Sequence, residues 1–241
     1  MPPFGKLPGG GFSGGSMDKR LLACAGLVDG PAAADIGTDH GYLACYLIES
    51  GRCERVVASD VAEKPLESAR QNVEAAGLTD RVSCVLSDGL EKVPLEGITD
   101  IICAGMGGEL IVSILERCND LRDKNLVLQP MTKWDVLRKW LYDNRFRVVK
   151  ETACSEGRFV YSVMKARFSG TEPEYSCDLR YLYCGRVGLE TPEERAYLLR
   201  QALRLRTAGE GKKHSPESFE EGERMCALAE EIEEEVRKHG K

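Results

Sequence analysis

The stretch Ala32–Tyr42, AAADIGTDHGY, limits the fold of this chain more than any other. Small and apolar residues run into Asp35, a glycine turn follows, and an amphipathic segment begins near Gly41. That order is a buried strand breaking into a tight loop that opens a helix. Gly37 and Gly41 stand where a Cβ would obstruct the turn or a ligand. Free N–H groups at the start of the helix point back at the loop mouth, a seat for a carboxylate or other polar ligand. Asp39 and His40 lie between the glycines, two titratable side chains where a plain nucleotide loop has none. The stretch reads as a cofactor loop that carries additional chemistry.

Strand-like and helix-like segments alternate from there on. Strands are expected over Ala32–Ile36, Arg55–Ser59, Val82–Leu86, Asp100–Ala104 and Leu126–Gln129. Helices are expected over Gly41–Ser50, Lys64–Ala76, Gly108–Arg117 and Trp134–Asn144, the second ended by Gly77. Arg147–Ala153 and Phe159–Arg167 then follow each other across a short Ser155-Glu156-Gly157 turn, with no helix between. Regular βα alternation predicts a parallel sheet with helices on both faces. The closing hairpin predicts one antiparallel strand at the edge. This α/β order resembles the Rossmann-like pattern of class I methyltransferases; a dehydrogenase Rossmann domain ends differently.

The flanks read differently. Met1–Ser16 is rich in glycine and proline and cannot bury enough surface to order itself, so it reads as a tail or a leader, with Met17 as the start. Asp18–Val28 reads as a short helix begun by Lys19 and Arg20, either a solvated face or a phosphate contact near the site entrance. Residues 17–168 are therefore expected to form the catalytic domain and 169–241 a helical one. In the latter, Ser169–Pro192 reads as a linker with local packing. Glu193–Thr207 and Pro216–His239 read as helices joined at Ala208–Gly211 into an antiparallel, coiled-coil hairpin. One helix carries Arg195, Arg200, Arg204 and Arg206, the other a glutamate-rich face; they could pair with each other, or the arginines could grip RNA phosphates.

A net charge of −6 gives no global basic field, so a nucleic-acid partner needs a local basic face and would bind in a salt-sensitive way. The ten cysteines form no CxxC pair and fall mostly in apolar stretches, as small buried hydrophobes do in a reducing cytosol. No metal site is expected, because clustered Cys/His ligands are missing. No run of roughly 18 apolar residues is present to span a membrane, and the first residues lack the hydrophobic segment of a signal peptide. A cytoplasmic monomer is expected.

Four short motifs carry the chemistry. Asp35-Ile36-Gly37-Thr38-Asp39-His40-Gly41 has the acid-then-glycine form of the first S-adenosylmethionine motif, and its lack of GxGxxG weakens a nicotinamide reading. Asp60, at the end of the second strand, is placed to take the two ribose hydroxyls of an adenosine cofactor, with Val61 beside it; capping the next helix is the plainer alternative. Asp88-Gly89 follows the third strand, where Asp88 could accept from an adenine amino group or simply make an Asp-Gly turn. Ala104-Gly105-Met106-Gly107-Gly108 follows the fourth strand, where such enzymes keep a loop shared by cofactor and substrate. Many base-methylating enzymes place Asn/Asp-Pro-Pro-aromatic there, and this chain does not. Gln129-Pro130 could supply an amide from across the pocket, or merely end a strand.

DIGTDHGYL, ASDV, SDGLE, ICAGMGGELI, LVLQP and RKWLYDNRF occur in that order. Together they resemble the bacterial TrmK family, tRNA methyltransferases acting on N1 of adenine 22, over about Met17–Arg167. The resemblance implies S-adenosyl-L-methionine as donor, tRNA as substrate and a coiled-coil C-terminal domain. Within it, Asp39 matches the family's loop aspartate, proposed to act at the substrate base. Adenine N1 already owns a lone pair, so no strong base is needed; the product is cationic, and a nearby carboxylate stabilises developing charge. His40 could orient Asp39 or the base, or cap the loop. N1 lies on the pairing edge, so the base must be extruded first. The competing readings are a methyltransferase on another RNA or a small molecule, and a cofactor-binding RNA-binding protein without catalysis.

Overall fold

A computed structural model describes residues 17–119 and 121–239; the glycine-rich leader expected at 1–16 lies outside the described residues. Its centre is β1 (Ala32–Ile36), whose five residues are all buried. The seven strands add β2 (Arg55–Asp60), β3 (Val82–Leu86), β4 (Asp100–Gly107), β5 (Asn125–Thr132), β6 (Phe146–Glu156) and β7 (Phe159–Phe168), in the order β3-β2-β1-β4-β5-β7-β6. β1 to β5 are parallel, and β7 runs antiparallel to both β5 and β6. The antiparallel strand therefore sits one place in from the edge, and β6 takes the edge. A hairpin's order in sequence does not say which arm docks on the sheet.

Side chains of β1 divide by period two. Ala32, Ala34 and Ile36 join one core with Ile101, Leu128 and residues of α4 (Gly108–Glu116) and α5 (Trp134–Asp143). Ala33 joins the other core with Val56, Ile102 and residues of α1 (Lys19–Ala25), α2 (Tyr42–Glu49) and α3 (Glu63–Ala75). Helices thus cover both faces, and the order reverses at β1, with β2 on one side and β4 on the other. In such a sheet the ligand crevice opens at the carboxyl ends of the strands beside that reversal.

The segment after β7 is more structured than a linker. It contains α6 (Leu179–Cys184), capped by Asp178, and leads into α7 (Pro192–Lys212), whose Thr191–Glu194 capping box fixes its start. A 3-10 turn at Pro216–Ser218 precedes α8 (Phe219–His239). α7 packs on α8 and also against β6 and β7. The expected turn at Ala208–Gly211 is helical instead: a Cβ at Gly209 would lie 2.7 Å from the Gly222 carbonyl, so these glycines let two helices approach closely. The chain reverses just after, around His214.

Candidate active site

The loop after β1 is drawn toward β2 by its backbone. The N–H groups of Gly37 and Thr38 both donate to the Ser59 carbonyl, at 2.8 and 2.9 Å. Gly37 has φ 72°, and a Cβ there would run into the flexible end of Met106. Gly41, also at positive φ, faces α3 rather than a ligand: a Cβ would lie 3.1 Å from that of Ala69. Its lack of a Cβ serves helix packing. Asp35 is buried and accepts from Thr38 Oγ1 at 2.6 Å. Burial pushes its carboxyl up to about 6, the Thr38 hydrogen bond opposing this and the charge of Asp60 adding to it.

Asp39 occupies the left-handed region at φ 53°, a conformation rare enough outside glycine to mark a held loop. Its side chain is 70% exposed, with His40 Nε2 at 3.6 Å. Its backbone N–H donates to Asp60 Oδ2 at 3.3 Å, while Asp60 Oδ1 accepts from the N–H of Ala62, the residue that caps α3, at 2.9 Å. Asp60 thus ties the two loops together with one lone pair of each oxygen, leaving a pair of acceptor sites. Val61 beside it is 68% exposed. The His40 ring lies tilted beside that of Tyr42, with centroids 5.5 Å apart, and its carbonyl accepts from Asn72 of α3.

Other expected site residues turn out to be engaged by the protein itself. Asp88 accepts from Arg117 with both oxygens, at 2.9 and 3.0 Å, and this guanidinium holds its carboxyl below the usual range. Arg117 takes one lone pair of each Asp88 oxygen, and the side chain stays 56% exposed. Gly89, at φ 58°, abuts Ile114. Gln129 is fully buried: its Oε1 accepts from Gly105 N and Arg20 Nη1, both at 3.0 Å, and its Nε2 donates to the Pro130 carbonyl. Arg20 also pairs with Asp18 at 2.9 Å. Gln129, from its buried position, and Arg20 therefore shape the loop after β4. Gly108 is buried, and a Cβ there would meet the Lys133 carbonyl, so it too is a packing residue. Lys19 stays exposed at the head of α1, its N–H donating to Glu156.

Ala104, exposed Gly105 (φ 79°), Met106 and Gly107 form the irregular end of β4, with Met106 paired to Pro130 and Gly107 to Thr132 across two register shifts. Beyond Pro130 opens a groove of about 330 Å³, lined by Thr132, Trp134, Phe159, Tyr197, Arg200 and Arg204. Sequence reasoning missed it, although the Arg158-Phe159 pair and the i, i+4 spacing of Arg200 and Arg204 were visible. A larger hollow, about 530 Å³, lies at the opposite ends of β2 and β3 by Arg55, Arg81 and Glu96, away from this crevice. Among the described residues no group of three His/Cys/Asp/Glu is placed to hold a metal, and no helix is long and apolar enough to cross a membrane.

Residues 17–164 match the model of a methyltransferase domain. The tRNA (adenine(22)-N(1))-methyltransferase of Bacillus subtilis (strain 168) is 34% identical over 162 residues, 66% of this chain and 68% of that protein. This chain belongs to the TrmK family of methyltransferases. Streptococcus pneumoniae Sp1610, a candidate tRNA (m1A22) methyltransferase solved with S-adenosyl-L-methionine, is 28% identical with a TM-score of 0.77, over 90% of this chain and 100% of that one. M. capricolum TrmK, solved with S-adenosyl-homocysteine, has a TM-score of 0.71 over 92% and 98% of the two chains, a likeness of fold at 24% identity. TrmK membership agrees with the overall fold.

Proposed function

We propose that this TrmK-family chain transfers a methyl group from S-adenosyl-L-methionine to N1 of adenine 22 of tRNA. The observation that carries the reading is the loop after β1: one bend joins a glycine crevice to an exposed aspartate, and Asp60 braces it. The donor fits the residues present. The flexible end of Met106 covers Gly37 and can move aside, and Asp60 keeps two acceptor sites suited to two vicinal hydroxyls. When bound, the donor supplies an electrophilic methyl on a sulfonium.

The chain's own part is positioning and charge. Gly37, Ala104, Gly105 and Met106 wall the crevice, and buried Gln129 holds Gly105 in place. Val61 offers an exposed apolar face beside the ribose acceptor. Asp39 faces the open side, where its carboxylate stabilises the positive charge that grows on the purine and can accept from the exocyclic amine. His40, 3.6 Å from Asp39, orients it. Gly107, Pro130 and Lys19 remain on the substrate side. The enzyme is read as a cytoplasmic monomer, a setting that suits its ten free cysteines.

Incubation with labelled donor and unmodified tRNA, followed by mapping of the modified nucleotide, tests the reading. Label at N1 of adenine 22 is expected. Label at another nucleotide, or only in a metabolite extract, would overturn it.

A further inference from the structure

α7 sends its arginines in different directions. Arg206 pairs with Glu233 of α8, and Arg195 donates to the Leu189 and Glu190 carbonyls. Arg200 and Arg204 turn the other way, into the groove between α7 and the ends of β5 and β7. There the Arg204 guanidinium lies 4.2 Å from the centre of the Trp134 ring. Arg158 and Arg200 sit over Phe159, at 5.0 and 5.7 Å, and that ring is 42% exposed. None of these three guanidiniums has a carboxylate partner among the described residues, in a chain whose net charge is −6. Burial holds Arg204 below the usual arginine range, and the charge of Arg200 adds to this. The indole Nε1 of Trp134 is buried without an acceptor.

Among the described residues Arg200 donates only to the Arg158 carbonyl and Arg204 only to Gln201 Oε1, both at 3.3 Å. Cations without a carboxylate partner over aromatic faces are half of a recognition pair: the faces suit a nucleobase and the cations a phosphate. The volume, about 330 Å³, suits one small ligand better than a duplex backbone. The groove begins one strand pairing from the catalytic loop: Met106, whose flexible end lies over Gly37, pairs with Pro130 of its lining. We propose that this groove binds one unpaired nucleotide of the RNA substrate, base against Phe159 and phosphate between Arg200 and Arg204. This rests on the RNA-methylating function given above. A phosphate that draws Arg204 off the indole would uncover a second stacking face and give the Trp134 N–H an acceptor. The groove would so hold a strand whose target base has left its stack.

The chain has two tryptophans, so the full-length Trp140→Phe protein reports on Trp134 alone. Titrated with a single-stranded hexa-adenylate, its emission should change saturably. Phe159→Ala and the Arg200→Ala/Arg204→Ala double variant should each weaken that binding by about tenfold. The double variant should also flatten the slope of log affinity against log salt, by about 0.7 for each phosphate contact removed. In turnover, both variants should raise KM for unmodified tRNA while donor affinity stays the same. No emission change with the hexa-adenylate, or variants that bind it as the parent does, would overturn the groove assignment. A wild type that methylates no tRNA would instead overturn the function, and the titration would still decide the groove.

Discussion

Asp35 shows what the site demands of single residues. It is a carboxylate in the most buried strand, matched only by the Thr38 hydroxyl, and burial pushes its carboxyl up to about 6 from an ordinary 3.8. The folded state therefore holds the proton more tightly than the unfolded state does. The stability this gives is complete below the unfolded value and is lost as pH rises through about 6. At pH 8 the buried charge costs up to roughly 3 kcal/mol, at about 1.4 kcal/mol per pKa unit. Asp35→Asn is expected to raise the free energy of urea unfolding at alkaline pH, with the gain closing toward pH values of about 4. An equal difference at both ends of the range would contradict this. Residue types and turn chemistry made Asp35, Gly37, Asp39 and Asp60 legible in the sequence. Partners distant in the chain did not show: Arg117 claims Asp88 from 29 positions away, and Arg20 meets Gln129 across 109.

At the scale of elements, strand and helix positions followed from hydrophobic period and glycine punctuation, and β1 and β3 fall where the pattern puts them. Two features escaped. β7 docks on β5 ahead of β6, which strand order in the chain cannot reveal. Gly209 reads as part of a turn and in fact meets Gly222 to set the approach of α7 to α8. Beside the apolar contact of α7 with β6 and β7, Arg138 of α5 ties these elements together: fully buried, it donates to Glu151 and Ser162, to the Leu182 and Tyr183 carbonyls and to the Tyr197 hydroxyl of α7. Arg138→Leu leaves the Glu151 charge buried and unpaired, and should destabilise by about 3–5 kcal/mol in urea unfolding. Arg138→Leu/Glu151→Leu should recover much of that loss, because no orphaned charge remains. A double variant no more stable than the single would show that the carbonyl contacts, not the ion pair, hold these elements together.

Across the whole molecule, the order reversal beside β1 opens a crevice where the loops after β1, β2 and β4 meet, and α7 brings an arginine face to a groove at the end of β5, next to β4. The family could be named from the sequence because the motifs at these loops occur in a fixed order. The groove could not, because its walls come from β5, β7 and α7 and meet only on folding. The central claim is that one bend both seats the donor and presents a carboxylate to the purine. Single-turnover methyl transfer to unmodified tRNA by Asp39→Ala, read beside its calorimetric affinity for the donor, tests this most directly. Transfer should fall on the order of a hundredfold or more while the donor binds within about twofold of the wild type. Transfer at a near-normal rate would contradict the account.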